Sequence, residues 1–318
     1  MTRAGDTRWG VVVDSPTEER NPRTVEMDVV DTLQLLRLIN AEDQLVPYAV
    51  GATLPALAEL VDAAAERVRA GGTVHYVGAG TSGRIGVVDA AELLPTFRLE
   101  EGVVVAHLAG GPPAIVRAAE NVEDDAAAGR RELGEVGERD VVIGLAASGR
   151  TPYVAGALEH AAANGAFTAL VTSNPRSMLR ELVEVAIVVD TGPEALTGST
   201  RMKSATAQKL VLHSFSTALM VRLGRTWSNL MVSMVATNQK LRARTVTILH
   251  QATGLDRAEC EDLLEEADGD LKVALVMTLA DADPPGARAA LEDAGGVVRG
   301  AVQSLPSPSH STPSRREP

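Results

Sequence analysis

One cysteine, Cys260, is all that this chain of 318 residues contains, so an intrachain disulfide is excluded and a reducing compartment is expected. Aromatic residues make up only 3% of the chain, which leaves few platforms on which nucleic-acid bases could stack. Positive charge is outweighed: 30 Lys and Arg against 42 Asp and Glu give a net charge of −12, with no basic block before the C-terminal tail. Binding to a phosphate backbone rests on clustered cations, so no nucleic-acid partner is expected. The six histidines (His75, His107, His160, His213, His250 and His310) show no pair at metal-ligand spacing, and one cysteine cannot build a zinc cluster, so no metal site is expected. No apolar run approaches the ~18 residues of a membrane helix. Residues 1–10 are polar and charged, without the apolar core of a secretory signal. These absences predict a cytoplasmic protein with no membrane partner.

What is present is a core: 45% of residues are hydrophobic, enough for one large domain and a small appendage. Residues 1–25 read as an irregular arm broken by Pro16 and Pro22, and helical patterns follow at 31–40 and 46–70. Strands and helices then alternate, with strands expected at 73–77, 103–108, 140–146, 167–172 and 185–189. Helices are expected at 82–93, 113–129, 152–164, around 178–182 and at 200–223. The strands are continuous apolar runs such as Val141-Val142-Ile143-Gly144-Leu145, the pattern of strands covered on both faces. The fold class predicted is therefore α/β, an open parallel five-stranded sheet with helices on both faces, plus a small C-terminal all-helical unit. By residue, that is an N-terminal arm and helix (1–45), the α/β domain (46–245), the helical unit (246–303) and a disordered tail rich in Ser, Pro and Arg (304–318). Beyond Gly224 the pattern reads as wholly helical, beginning with a helix at 230–244.

The chemistry concentrates in the turns. Gly78-Ala79-Gly80-Thr81-Ser82-Gly83-Arg84 follows the first strand and opens a helix, an arrangement in which backbone amides and the positive helix end face an anion. It also satisfies Gly-x-Gly-x-x-Gly, but a dinucleotide site wants an acidic residue about 20 positions on, and the second strand is followed by Ala109-Gly110-Gly111-Pro112-Pro113. Thr81 and Ser82 instead supply hydroxyls suited to a phosphomonoester, so a sugar phosphate is the expected small-molecule partner. Ala147-Ser148-Gly149-Arg150-Thr151, Thr172-Ser173-Asn174 and Thr197-Gly198-Ser199-Thr200 repeat the theme after later strands. Ser, Thr and Asn are also ordinary helix caps, so each turn alone has a structural explanation.

These motifs belong to a longer series. Gly78–Arg84 with Asp89-Ala90-Ala91-Glu92-Leu93-Leu94-Pro95-Thr96-Phe97, Ala109-Gly110-Gly111, Ala146–Tyr153, Thr197–Lys203, Ala207-Gln208-Lys209-Leu210 and Asn229-Leu230-Met231-Val232 resembles the N-acetylmuramic acid 6-phosphate etherases of the sugar isomerase fold. The early Thr17-Glu18-x-x-Asn21 and Asn40-x-x-Asp43 agree, and the resemblance covers roughly residues 15–303. It implies cleavage of the D-lactyl ether to N-acetylglucosamine 6-phosphate and D-lactate, in recycling or catabolism of cell-wall sugar, with no metal or organic cofactor and in a homodimer. It also implies catalytic roles for Glu92 and for Glu123, the latter expected within the helix after Ala-Gly-Gly. Ser82, Ser148 and Thr151, with Thr81 as neighbour, are implied phosphate ligands; Arg84 and Arg150 either touch the ligand or support the turns. In the open-chain sugar the carbonyl acidifies the proton on carbon 2. A base, assigned to Glu123, removes it while an acid, assigned to Glu92, protonates the lactate leaving carbon 3; the reverse assignment is the alternative. A place near the negative end of its helix suits Glu92 to donating a proton. The family's usual Ser, Cys and Pro are Ala91, Leu93 and Leu94 here, and the Glu after Ala-Gly-Gly is Pro112. Two rivals share the fold: a non-catalytic sugar-phosphate sensor like the glucokinase regulatory proteins, which carry two sugar isomerase units where this chain has one, and an aldose–ketose isomerase, which would not need the Glu92 run.

Overall fold

The computed structural model describes residues 6–7, 10–11, 14–234 and 239–306. They fall into two compact units, one of Met1–Glu92 and Glu100–Leu219, the other of Leu93–Leu99 and Met220–Pro318. The expected disordered tail lies outside the described residues from 307 on, as does much of the start of the arm.

The first unit is built on five strands: β1 (Val74–Gly78), β2 (Val104–Leu108), β3 (Val141–Leu145), β4 (Phe167–Thr172) and β5 (Val185–Val188). They form one parallel sheet in the order β2-β1-β3-β4-β5. Gly78 lies opposite both Leu108 and Leu145, so the carboxyl ends of the three strands finish level. From β1 the chain first steps outward to β2 and then back past β1 to β3. That reversal leaves a crevice between the ends of β1 and β3, the place where open α/β sheets hold their ligands.

Helices cover both faces, as the uninterrupted apolar strands require. Val77 joins a core with Val154 and Leu158 of α7 (Pro152–Ala163) and Ala128 of α6 (Ala126–Leu133). Its neighbour Tyr76 points the other way, as alternation along a strand dictates, and meets Phe215 of α8 (Lys203–Arg222) edge-on at 6.3 Å. Ahead of the sheet stand α1 (Thr32–Asp43), α2 (Val46–Gly51) and α3 (Leu54–Arg69). The pattern at 46–70 predicted one helix; it breaks at Ala52-Thr53, where the Thr53 hydroxyl donates to the Val50 carbonyl (2.8 Å) and Pro55 opens α3.

Two further expectations are corrected in this unit. Helix α4 (Gly80–Phe97) starts two residues earlier than expected and runs past Leu93, through Pro95. The single helix expected at 113–129 is three pieces: α5 (Pro113–Val116), a 3-10 turn at Val122–Asp124, and α6. Arg84 draws off the carbonyls of Ala114, Ile115 and Arg117 at 3.0–3.1 Å, Asn121 turns left-handed (φ 62°), and Asp125 caps α6 afresh through the Ala128 amide.

In the second unit the helix expected from 230 is replaced at its start by a hairpin of β6 (Thr226–Trp227) and β7 (Leu230–Met231). Ser228, left-handed at φ 52°, makes that turn. Helices α9 (Gln239–Thr253), α10 (Arg257–Glu266), α11 (Leu271–Ala280), α12 (Pro284–Asp293) and α13 (Val298–Ser304) follow. The apolar α11 lies at the centre of their core, and the thiol-bearing Cys260 is buried there.

Candidate functional site at the carboxyl edge of the sheet

The two turns predicted to hold phosphate follow β1 and β3, the adjacent strands that flank the crevice. After β1 the backbone enters α4 directly, so Thr81 and Ser82 stand on the helix's first turn, where amide N–H groups lack acceptors within the helix. This geometry demands glycine: a Cβ on Gly78 would lie 2.7 Å from the Gly83 nitrogen, and one on Gly83 would lie 2.6 Å from the Gly78 carbonyl oxygen. Only two bare backbones let the helix start this close to the strand end.

The turn after β3 is braced from the next strand. Asn174 donates from Nδ2 to the Ser148 carbonyl (2.8 Å), Thr172 donates to the Ala147 carbonyl (3.2 Å), and Ser177 donates to the Gly149 carbonyl (2.7 Å). Gly149 is left-handed (φ 67°), and a Cβ there would run into Ser177 Oγ and Cβ. The same Asn174 amide also reaches the Asp14 carbonyl (3.0 Å), and the Gly198 amide donates to the Thr17 carbonyl (3.0 Å). The N-terminal segment, expected as an irregular arm, is thus laid across the loops that follow β4 and β5. Its Ser15, Thr17, Asn21 and Thr24 are buried.

The hydroxyls at this edge divide into two groups. Those of Thr172, Ser177, Thr24 and Ser15 are spent on bonds within the chain. Those of Thr81, Ser82, Ser148 and Thr151 make none among the described residues, although all four are half-buried. Thr151 occupies the N-cap position of α7 without making a side-chain cap bond. Capping, the structural explanation for such residues, therefore does not account for these four.

Arg84 turns away from this face: its Nε and Nη2 hold the loop after β2 through the three carbonyls named above. Of the two roles open to it, the structure gives it support of a turn. Arg150 is half-buried beside Ser148 and has an interaction within the chain. Glu92 and Glu123 are both exposed, and neither carboxylate is paired among the described residues. Glu123 sits on the 3-10 turn Val122–Asp124 rather than within a helix. Glu92 is short of the helix end, because α4 continues to Phe97, so the placement at the helix's negative end does not hold. Asp89, one turn before it, is directed inward: Tyr76 Oη and Ser216 Oγ donate to its carboxylate at 2.8 and 2.9 Å, and burial raises its pKa. Those bonds fix the rotation of α4, and Glu92, about 60° further round the helix, is exposed. Along the helix Glu92 lies about 15 Å from Ser82, at 1.5 Å per residue.

Residue types alone did not expose the part played by α8. Gln208, quoted only as part of a motif, is 1% exposed with both amide atoms unpartnered, and the Ser173 hydroxyl after β4 is likewise buried and unpartnered. At the head of α8, Glu194 accepts from the amides of Lys203 and Ser204 and from the Ser204 hydroxyl (2.8–3.0 Å), anchoring the Thr197–Thr200 loop between them.

Comparison with known proteins bears on what this edge serves. The family model described as the glucokinase regulatory protein N-terminal SIS domain matches residues 56–162, and that described as the SIS domain matches residues 116–218. A protein of Thermobifida fusca (strain YX) is 56% identical over 84% of this chain and 88% of its own length. One from Cronobacter sakazakii is 49% identical over 90% of this chain and 97% of its own, and one from Brucella anthropi 47% over 91% and 94%. All three carry the name N-acetylmuramic acid 6-phosphate etherase.

Proposed function

The chain belongs to the N-acetylmuramic acid 6-phosphate etherase family, and from that premise we propose that it is a carbon–oxygen lyase that splits the D-lactyl ether of N-acetylmuramic acid 6-phosphate. The observation in the fold that carries the reading is the pair of adjacent turns, after β1 and β3, whose four hydroxyls make no hydrogen bond among the described residues. Ser82, Ser148 and Thr151, with Thr81 beside them, take the phosphate, helped by the open amides at the start of α4. Arg84 acts indirectly, through the loop after β2, and Arg150 acts beside Ser148.

The reaction then needs one base and one acid. Glu123 removes the proton from carbon 2 of the open-chain aldehyde, the electron pair forms the carbon 2–carbon 3 double bond, and the carbon 3–oxygen bond breaks. Glu92 protonates the departing lactate oxygen. Water adds back at carbon 3, carbon 2 regains a proton, and N-acetylglucosamine 6-phosphate results. With Glu92 about 15 Å along α4 from Ser82, the acid and the phosphate turn address opposite ends of the ligand. No step calls on a metal or organic cofactor. The exposed apolar side chains Leu33, Leu36, Tyr48 and Leu54 on α1–α3 favour a homodimer, which light scattering would test. The lone buried thiol suits the cytoplasm.

The test is incubation with N-acetylmuramic acid 6-phosphate in heavy water, following D-lactate release and deuterium at carbon 2. Lactate with one deuterium at that carbon is expected. Glu123→Gln should lose both signals, and Glu92→Gln should keep exchange at carbon 2 of the intact substrate while losing lactate release. Folded protein that binds the sugar phosphate and gives neither signal would overturn the reading in favour of a sensor. Carbon-2 exchange with ketose formation and no lactate would favour an isomerase.

A further inference from the structure

We propose that the helical unit holds an anion site of its own, formed by Arg98, Arg225 and Lys272 and fitted to inorganic phosphate or the phosphate group of a phosphomonoester. These side chains line a cavity of about 180 Å³, with Ser233, Met234 and Asp270 among its other walls. All of them belong to the second unit, whereas the phosphate turns after β1 and β3 belong to the first. The site therefore stands independently of the proposed reaction.

Charge is the first argument. In a chain of net charge −12, three cations line one small cavity, and none of them forms an ion pair among the described residues. The one carboxylate in the wall, Asp270, is committed elsewhere: its Oδ1 accepts from the amides of Lys272 and Val273 at 3.0 and 3.2 Å, capping α11. Three cations against one carboxylate leave a net repulsion that Asp270 offsets only in part, and an anion between them removes the remainder.

The second argument is that two of the cations, Lys272 and Arg225, are anchored by side-chain bonds to backbone carbonyls, while Arg98 is exposed. Lys272 donates from Nζ to the carbonyls of Gly224 (2.9 Å) and Gly296 (2.6 Å), which leaves one of its three protons for a ligand. Burial, and then the Arg225 charge, push its pKa down to about 8, with Asp270 opposing. Arg225 donates to the Arg98 carbonyl (3.4 Å), and the Ser233 hydroxyl donates to the Arg225 carbonyl (3.1 Å). Arg98 itself is held at φ 51°, a left-handed conformation that glycine adopts at far lower cost. A long cationic side chain kept where backbone preference argues against it points to a use for the guanidinium. Donors on three separate chain segments suit a tetrahedral anion with several acceptor oxygens better than a planar carboxylate, which one arginine fork can satisfy.

Four lysines in the whole chain, Lys203, Lys209, Lys240 and Lys272, make the test direct. In full-length protein labelled with 13C at the lysine ε carbons, Lys272→Arg assigns the Lys272 signal. Inorganic phosphate should move that signal saturably and raise its titration midpoint from about 8, by roughly one unit for a bound anion. Potassium chloride at equal ionic strength should not, and the Lys203 signal serves as internal control. Arg98→Gly removes the guanidinium at a backbone position that favours glycine, so thermal stability should hold or rise while phosphate affinity falls at least roughly tenfold; Arg225→Gln should weaken it similarly. Glycerol 3-phosphate binding as well as phosphate would identify the ligand as an ester, and phosphate alone would identify the free ion; either supports the site. A Lys272 signal that responds equally to phosphate and chloride would overturn the proposal, as would undiminished phosphate affinity in Arg98→Gly and Arg225→Gln.

Discussion

Replacing Lys203 by methionine would isolate the buried charge cluster that ties the N-terminal segment to the loop before α8. Lys203 is fully buried, and its Nζ donates to Glu42 Oε2 (2.8 Å) and to the Thr191 carbonyl (2.7 Å). Glu42, 2% exposed, also accepts two bonds from Arg23, at 2.5 and 2.9 Å. Methionine keeps most of the stem's volume but strands the carboxylate on one partner and leaves the Thr191 carbonyl without its donor. Removing one member of a buried pair costs about 3–5 kcal/mol; because Arg23 remains, about 3 kcal/mol at pH 7 is expected. The pKa of Glu42 gives an independent scale. Hydrogen bonding from Arg23 first, and then from Lys203, holds it at about 2, below its ordinary 4.5 and against the effect of burial. A carboxyl whose folded pKa is depressed contributes fully above the unfolded value and loses that contribution as pH falls from 4.5 through about 2. A displacement of this size is worth about 3 kcal/mol. Urea unfolding followed by circular dichroism at pH 7 and pH 3 should therefore show Lys203→Met less stable at pH 7 by about 3 kcal/mol, with a narrower gap at pH 3. The double variant Lys203→Met/Glu42→Gln should be better than additive by roughly 1.5 kcal/mol, since the stranded charge is gone. A single variant that loses less than about 1 kcal/mol, or a double variant that is simply additive, would refute the account of a coupled buried cluster.

Other outcomes follow from the same geometry. Ser82→Ala and Ser148→Ala should each raise KM for the sugar phosphate by roughly 10- to 100-fold with no change in melting temperature, because those hydroxyls bond nothing among the described residues. Ser177→Ala, which breaks bonds to the Gly149 carbonyl and the Leu179 amide, should lower the melting temperature as well. Gly149→Ala should cost roughly 2 kcal/mol or more, against about 1 kcal/mol for Gly295→Ala, where φ is likewise positive (59°) but space is open; denaturant midpoints decide. His75 is buried against His107 (2.9 Å between ring nitrogens), and burial lowers its pKa to about 4 from 6.5. Its charged form is thus favoured on unfolding, so stability should fall by about 3 kcal/mol as pH drops from 6.5 to 4. His75→Leu should remove that part of the slope.

The sheet was legible because a strand buried on both faces has only one composition open to it. Val141-Val142-Ile143 could not have been a solvated loop, and all five strands fall within two residues of where the apolar runs put them. The helices at 46–70 and 113–129 misled because their breaks are made by tertiary bonds. Nothing around Ala114 and Ile115 announces that Arg84, thirty positions earlier, will draw off their carbonyls. The hairpin at 226–231 has strands of two residues, too short to leave a period of alternation. Glu92 and Glu123 were visible only through motif, since exposed glutamates are the commonest surface residue in an acidic chain and carry no local mark of use.

The hydroxyls teach the sharper lesson. Ser15, Ser177 and Thr151 are the same signal to a reader of sequence: a small hydroxyl residue where a helical turn begins. Only the folded chain separates them, because Ser15 and Ser177 accept the amides that they cap and Thr151 does not. A cap is normally stabilising by about 1 kcal/mol, so an N-cap residue that forgoes the bond is oriented by something else. Around the end of β3 that orientation comes from Asn174, Thr172 and Ser177, which grip the backbone of the turn and leave its own side chains open. On the proposed reading, support and recognition are divided between neighbouring loops: the one after β4 spends Thr172, Asn174 and Ser177 on rigidity, and the ones after β1 and β3 keep their hydroxyls for a ligand. Stability should accordingly track substitutions at Thr172, Asn174 and Ser177, while affinity for the phosphate should track those at Ser82, Ser148 and Thr151.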